Sequence, residues 1–347
     1  MESDPKTRNF FHIPVAHFPD ISARWLFKEK ENIRGLLEII AQDLVEYFDF
    51  EQIEEINRSF ISDTLREQES DMVFKVPFQT SSHKDELYIY ILLEHQSTID
   101  PIMPFRVLFY MCQIWDAQRR ELDSKNIPRN EWRLKPILPI VFYTGTQPWK
   151  TPLSLDTLME QPDSLSRFIP QFDTLLLDVK DSTENELTET DHPLGLLLTV
   201  LKNEKNDKTI LTEVLEKVLP IFQDLDNVQH RNALIYLSHL ILFRRQPDEH
   251  DELINLVKAY TQDPEVENMM LSTAEMIEKR AIEQGKKQGR EEGREEGSIN
   301  AMQTSILELL QHQFGIIPET LKNQIKEIQN LQILDTIFKK ALNATTL

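Results

Sequence analysis

Between Ala23 and Phe48, apolar residues recur at helical spacing (Trp25, Leu26, Ile33, Leu36, Leu37, Ile40, Leu44), which predicts an amphipathic helix or helix pair capped by Asp20. Two apolar runs follow, Val73–Phe78 and Leu87–Leu93, and the polar stretch between them, Ser-Ser-His-Lys-Asp-Glu, has the composition of a hairpin connection. The second run barely alternates, so it is expected to be a central strand covered on both faces. Helical period returns from Met103 to Leu122. The run Pro136–Tyr143, closed by Thr144-Gly145, then reads as a strand whose prolines are tolerable only near its ends, and Thr174–Val179 as one more strand. Helix, strand, strand, helix, strand and a later strand describe an α/β sandwich with a mixed sheet.

Beyond about Asp181 the pattern turns wholly helical, with period-3.6 segments at Leu194–Leu201, Ile210–Phe222, Ala233–Phe243 and Leu253–Tyr260. Between Ile277 and Gly297 the chain is charged and repetitive, with glycines at 285, 289, 293 and 297. Two readings of this repeat compete. One is a helix whose smooth stripe packs against a second copy, giving a homodimer through the C-terminal helical region. The other is a charged linker, since each helical glycine costs about 1 kcal/mol relative to alanine. Ile306–Phe314, Leu321–Ile328 and Leu331–Leu342 form a small helical tail. The expected division is residues 1–180 as the α/β domain, 181–276 as a helical domain, 277–298 as the repeat and 299–347 as the tail.

Composition narrows the class. A chain of 347 residues, 40% hydrophobic and 28% charged, exceeds the usual domain of roughly 100–200 residues, so at least two units are expected. The longest apolar runs fall short of the ~20 residues of a membrane helix, and the start Met-Glu-Ser-Asp-Pro-Lys lacks the basic-then-apolar order of a leader. A cytoplasmic protein with no membrane partner is the expectation. The lone Cys112 sits in a helical stretch, where it is expected to be a small buried hydrophobe, and one cysteine rules out an internal disulfide. Nine histidines make no His-Glu-x-x-His, and neither a Gly-x-Ser-x-Gly elbow nor a Walker glycine loop occurs.

A formal charge of −20 argues against a general nucleic-acid binder, because Lys and Arg dominate phosphate affinity. It leaves room for an acidic site that recruits its own cation beside a local basic strip made by Lys28, Lys30, Arg34, Arg106, Arg119, Arg120, Arg129 and Arg133. Taken singly, each of these is more simply a solvated surface charge.

The candidate chemistry is an acidic pair at strand ends. Ser70-Asp71 opens the run Met72–Phe78, and Glu94-His95-Gln96 closes Leu87–Leu93. Carboxylates brought together there repel, and a hard divalent cation such as Mg²⁺ relieves that repulsion. Ser-Asp before a strand is usually turn chemistry. Glu94, directly after seven apolar residues, is costly to bury without a partner or a metal.

The segment Ile61-Ser62-Asp63-Thr64-Leu65-Arg66 through Ser70-Asp71-Met72-Val73-Phe74, with Leu92-Leu93-Glu94-His95-Gln96-Ser97, resembles the recombination-promoting nuclease family of the PD-(D/E)XK nuclease superfamily. The similarity continues through Phe105-Arg106, Tyr110, Leu138–Gly145 and Trp149, over roughly the first half of the chain. It implies an αβββαβ core with a mixed sheet, followed by an all-α C-terminal region, and a Mg²⁺-dependent (or Mn²⁺-dependent) DNA endonuclease acting in recombination or on mobile elements. Asp71 and Glu94 take the places of the acidic ligands, and the carbonyl of His95 supplies a third. Gln96 stands where many members have lysine; its amide can orient water or a phosphate oxygen but carries no charge. Asp63 is a secondary site candidate, Arg66 a structural partner, and Arg106 a phosphate contact or an ion-pair partner of one of the acids. Glu38 or Glu46 is expected to complete the metal shell from a helix. The missing lysine and the strong acidity also suit another class of function, a catalytically weak or inactive DNA-binding or assembly protein that keeps the fold. A third reading is a helical scaffold.

Overall fold

The computed structural model describes residues 18–56, 72–80, 83–160, 163–261 and 263–344. Its centre is a five-stranded mixed sheet in the order β1 (Glu54–Glu55), β2 (Met72–Thr80), β3 (His83–Gln96), β4 (Ile137–Tyr143), β5 (Leu175–Asp178). β1, β2 and β3 pair antiparallel, whereas β3, β4 and β5 run parallel. Because parallel neighbours need a crossover, the chain passes from β3 to β4 through α4 (Met103–Ser124).

Both faces of the sheet are covered, which explains the unbroken apolar run in β3. On one face, Val73, Tyr90, Leu92, Val141 and Tyr143 pack with Met103, Val107, Tyr110, Met111 and Ile114 of α4. On the other lie α1 (Phe18–Leu26) and α2 (Lys30–Ile40), with Phe27 edge-on to Phe142 at 4.9 Å. Of the helix or helix pair expected from Ala23 to Phe48, the pair is what forms, with the short α3 (Gln42–Val45) after it. Asp20 lies inside α1 instead of capping it.

Three further expectations are corrected. His83–Glu86, read as loop, are strand, because hydrogen-bonded pairing extends to Thr80 opposite His83 whatever the side-chain polarity. Pro139 sits in the middle of a central strand. Tyr90 N donating to the Pro136 carbonyl and Thr144 N to the Gln96 carbonyl show that even-numbered residues of β4 bond toward β3. The absent N–H of Pro139 therefore faces β5, whose first pair, Leu175 with Ile140, has not yet begun. Cys112 is exposed, turned about 100° from buried Met111 on α4.

Five helices, α5 (Glu184–Thr188), α6 (Pro193–Asn203), α7 (Lys208–Phe222), α8 (Asn227–Arg244) and α9 (Pro247–Lys258), lie with the sheet in one compact unit that extends to Thr273. α8 is buried continuously from Ala233 to Phe243, as befits a helix surrounded by others. Trp25 of α1 stacks on its Tyr236, with ring centroids 6.0 Å apart.

Residues 274–347 form a second unit. Most of α10 (Pro264–Phe314, 51 residues), which contains the glycine repeat, belongs to it, together with α11 (Glu319–Glu327) and α12 (Leu331–Leu342). Ile299, Ile306, Leu310, Ile325 and Leu334 make its core. Gln303 closes it by donating to the carbonyls of Lys326 and Ile328, at 3.1 and 2.9 Å, at the end of α11.

Candidate functional site

The expected site lies where β3 ends. Asp71, Asp63 and Arg66 fall outside the described residues, as does the side chain of Glu94; what the structure describes is the strands next to them in sequence. β2 begins at Met72, paired with Leu93, and β3 continues to Gln96, with position 94 opposite Val141, His95 opposite Phe142 and Gln96 opposite Tyr143.

Strand parity sorts these residues. Gln96 shares the parity of Tyr90 and Leu92, which pack on α4, and is 7% exposed. Position 94 has the same parity. His95 belongs to the other set: its ring lies 5.7 Å from that of Phe142, and its Nε2 is 2.9 Å from the Thr144 hydroxyl, tying the end of β3 to the end of β4. Even-numbered residues of β3 use their backbone groups toward β4, as Gln96 does in accepting from Thr144 N at 2.9 Å. The alternation therefore directs the carbonyl of His95 to the β2 side of the strand.

Past β4 the chain makes a tight, polar turn. Gly145 leaves room for the Tyr143 ring, which a methyl group there would overlap, and the Tyr143 hydroxyl donates to the Gln147 carbonyl at 2.7 Å. Burial, and then the Asp178 carboxylate, hold that phenol above its usual range, so it remains a donor. Asp178, at the end of β5, accepts from the backbone N–H of Trp149 (2.7 Å), Lys180 and Asp181 (both 3.1 Å). This carboxylate organises the loops at the strand ends, a role its place at the end of an apolar run does not announce.

Of the secondary candidates, Arg106 and Glu38 lie among the described residues. Arg106 pairs with Asp100 at 2.8 Å, and Asp100 also accepts from Ile102 N at 3.0 Å, so this pair fixes the β3–α4 connection. Of the two roles expected for Arg106, an ion pair is observed among the described residues, with Asp100. Glu38 pairs with Arg34 at 2.9 Å on α2. It also faces His192, the residue capping α6, whose imidazole burial pushes below its ordinary value while Glu38 and Glu31 pull it back. Glu46 hydrogen-bonds the Tyr47 phenol, raising it. In the basic strip, Arg119 and Arg120 both pair with Asp116, and Arg129 lies over the ring of Trp132. Among the described residues, no three His, Cys, Asp or Glu side chains gather as a metal site.

Sequence reasoning missed a buried ionic cluster beneath the strand ends. Glu204, 2% exposed, receives Arg244 through two bonds of 3.0 and 2.6 Å, with the Lys180 ammonium 3.8 Å away. Lys180 also donates to the carbonyls of Leu201 and Lys202, at 2.8 and 2.7 Å, at the end of α6. These residues are widely separated in sequence and share no spacing signal.

Among proteins of known name, this chain is similar to recombination-promoting nuclease RpnD of Escherichia coli O157:H7, with 23% identity over 251 residues, covering 71% of this chain and 88% of the relative. Recombination-promoting nuclease RpnC of Escherichia coli K12 is 24% identical over 255 residues, 73% of this chain and 78% of the relative. The inactive recombination-promoting nuclease-like protein RpnE of the same strain is 30% identical over 155 residues, 44% and 46% of the two chains. No solved structure matches. A family model covers residues 20–232, which hold the whole sheet and most of the helices packed on it, and the chain therefore belongs to the family described as "Putative transposase, YhgA-like".

Proposed function

We propose that this chain is a metal-dependent DNA endonuclease of PD-(D/E)XK type, hydrolysing phosphodiester bonds in DNA recombination or mobile-element transfer. The observation that carries the reading is the hairpin register. Met72 pairs with Leu93, and in sequence Asp71 directly precedes Met72 and Glu94 directly follows Leu93. Chain connectivity keeps each Cα within about 3.8 Å of its paired neighbour. The order of helices, three antiparallel strands, crossover helix and parallel strands also suits the αβββαβ core, and nuclease relatives support DNA as substrate.

The donor set fits a hard cation. Two carboxylates and the His95 carbonyl, directed to the β2 side, are the oxygens that Mg²⁺ or Mn²⁺ takes. When bound, the ion supplies charge for the scissile phosphate and acidifies a water molecule. Gln96 is the neighbouring amide able to hold that water or a phosphate oxygen. His95, through Thr144, keeps β3 and β4 in step beside it. The proposed site is cytoplasmic in setting, and two copies joined through the glycine-repeat helix would present two centres to the two DNA strands.

Nicking of supercoiled plasmid tests the proposal. Wild type is expected to nick with Mg²⁺ and not with EDTA, and Asp71→Ala to lose at least 100-fold. Equal activity in both proteins marks a contaminant and removes Asp71 from the site. The second reading, a DNA-binding or assembly protein without hydrolysis, is favoured by Gln96 in place of lysine and by the relative named inactive. It predicts a gel shift with the same plasmid and no nicking under either metal.

A further inference from the structure

The face of α4 turned away from the sheet combines exposed aromatic rings with positive charge. Met103, Val107, Tyr110, Met111 and Ile114 supply the buried side of this helix. At about 100° per residue, positions 105, 109, 112, 116, 119 and 120 share the opposite side. There Phe105 and Phe109 are 53% and 39% exposed, and their rings stack on each other with centroids 6.3 Å apart. A ring pair at this spacing stabilises a helix only slightly, and the buried side already fills the core. Folding therefore gives little reason for two neighbouring phenyl rings in water, and such a patch points to a binding surface.

The charge around the rings runs against that of the chain. From Met103 to the start of β4 there are seven Lys and Arg against four Asp and Glu, in a protein of net charge −20. Arg106 is held by Asp100. Arg119 and Arg120, on the face that carries the rings, share the one carboxylate of Asp116, and all three side chains are about half exposed. Asp123 follows one turn later. Exposed pairs of this kind are weak, and a guanidinium exchanges readily from a carboxylate to a phosphate. Only six residues separate Gln96 from Met103, so α4 starts at the end of the sheet where β3 stops and then runs back along it. The rings therefore lie nearest the strand ends, and Arg119 is about 21 Å farther along the helix than Phe105.

We infer that this face is a track for a single DNA strand, with unpaired bases stacked on Phe105 and Phe109 and phosphates held by Arg119 and Arg120. The inference rests on the reading of the strand ends as a DNA-cleaving site and specifies the form of DNA that reaches it. Aromatic rings beside guanidinium groups suit unpaired bases and their phosphates, because every base has a flat face to stack, whereas a duplex keeps its bases stacked on one another. Stacking also suits an acidic protein, since it adds affinity without a dense field of positive charge. A second copy of the chain is the poorer occupant: a two-fold contact would bring the same positively charged face against itself.

Fluorescence anisotropy with the full chain in EDTA, where no metal-dependent cleavage intrudes, tests the track. The probes are a labelled oligothymidine of about twenty residues, longer than one such site, and a duplex of the same length. The single strand is expected to bind at least about tenfold more tightly than the duplex. Phe105→Ala with Phe109→Ala, both at exposed positions, should weaken strand binding by about tenfold or more, while Phe105→Tyr with Phe109→Tyr should retain it. Arg119→Gln with Arg120→Gln should reduce the slope of log affinity against log salt by about 1–2. Equal binding of strand and duplex, binding of neither, or affinity unchanged in the alanine pair overturns the inference and leaves a solvated helix face. A mass in light scattering that falls in the alanine pair while DNA affinity holds assigns the face to a second copy and overturns it too. Plasmid nicking reads the other proposal separately. A wild type that binds the strand through these rings and nicks nothing removes the nuclease and keeps the track, whereas nicking with unchanged strand affinity in the alanine pair removes the track alone.

Discussion

His239 shows how a single side chain can set acid sensitivity. It is 2% exposed on α8, its Nδ1 lies 2.7 Å from the Ile235 carbonyl and so carries the proton, and its ring stacks on Phe243. Burial pushes its pKa down to about 4. The unfolded imidazole titrates near 6.5, so between those values the unfolded chain binds the extra proton. Stability from this group is therefore full above about pH 6.5 and is lost as pH falls toward 4. The loss is about 3 kcal/mol at 1.36 kcal/mol per pKa unit. Urea midpoints at pH 7 and pH 4 should fall further for wild type than for His239→Leu; parallel losses would assign the acid sensitivity elsewhere. Gly35 makes a second residue-level case. A methyl group there would overlap the His192 ring at the α2–α6 seam. Gly35→Ala, which stabilises an exposed helix, should here cost about 1–3 kcal/mol by overpacking, and His192→Ala should restore the difference in a double-mutant cycle. At this scale the sequence was legible where chemistry was costly. Glu94 stands out because a carboxylate after seven apolar residues demands a reason. His239 and Glu204 do not, because an imidazole or a carboxylate in a helical pattern reads as surface until its partners from other helices are known.

The strands and helices follow their patterns closely, and the departures have local causes. Pro139 reads as a strand breaker, yet a strand has two hydrogen-bonding edges, and only the pairing of β5 reveals that one of them is idle at that position. The polar stretch before Glu86 reads as a loop, although backbone pairing needs no apolar side chain. The cluster that joins the helical elements to the sheet was the least legible of all. Glu204 follows α6, Arg244 ends α8 and Lys180 follows β5, so three elements meet on one carboxylate. Removing that carboxylate leaves two half-buried cations facing each other. Glu204→Ala is therefore expected to cost about 3–5 kcal/mol in urea unfolding, far more than an exposed pair such as Lys125–Glu121, worth about 0–1 kcal/mol. A loss for Glu204→Ala no larger than for Glu121→Ala would show that the cluster is well solvated and does not hold these elements together.

For the molecule as a whole, length and composition indicated more than one unit, but which helices accompany the sheet depended on tertiary packing that no periodicity reports. The glycine repeat is where the whole-chain question becomes testable. It lies within α10, and a methyl group built at Gly293 or Gly297 would meet no atom within 4 Å, so packing inside the chain does not require glycine at either position. Each glycine nevertheless weakens a helix by about 1 kcal/mol relative to alanine. If the stripe serves only as part of a charged helical spacer, Gly293→Ala with Gly297→Ala should raise thermal stability and leave the oligomeric state unchanged. If a second copy packs against it, the added methyl groups should weaken association while the isolated helix gains. Light scattering at micromolar concentration is expected to show a dimer for the full chain, a monomer for a chain ending at Met276, and an intermediate mass for the double alanine variant. A monomer in all three cases would reduce the repeat to a spacer and leave any two-strand cleavage to successive encounters of single copies with DNA.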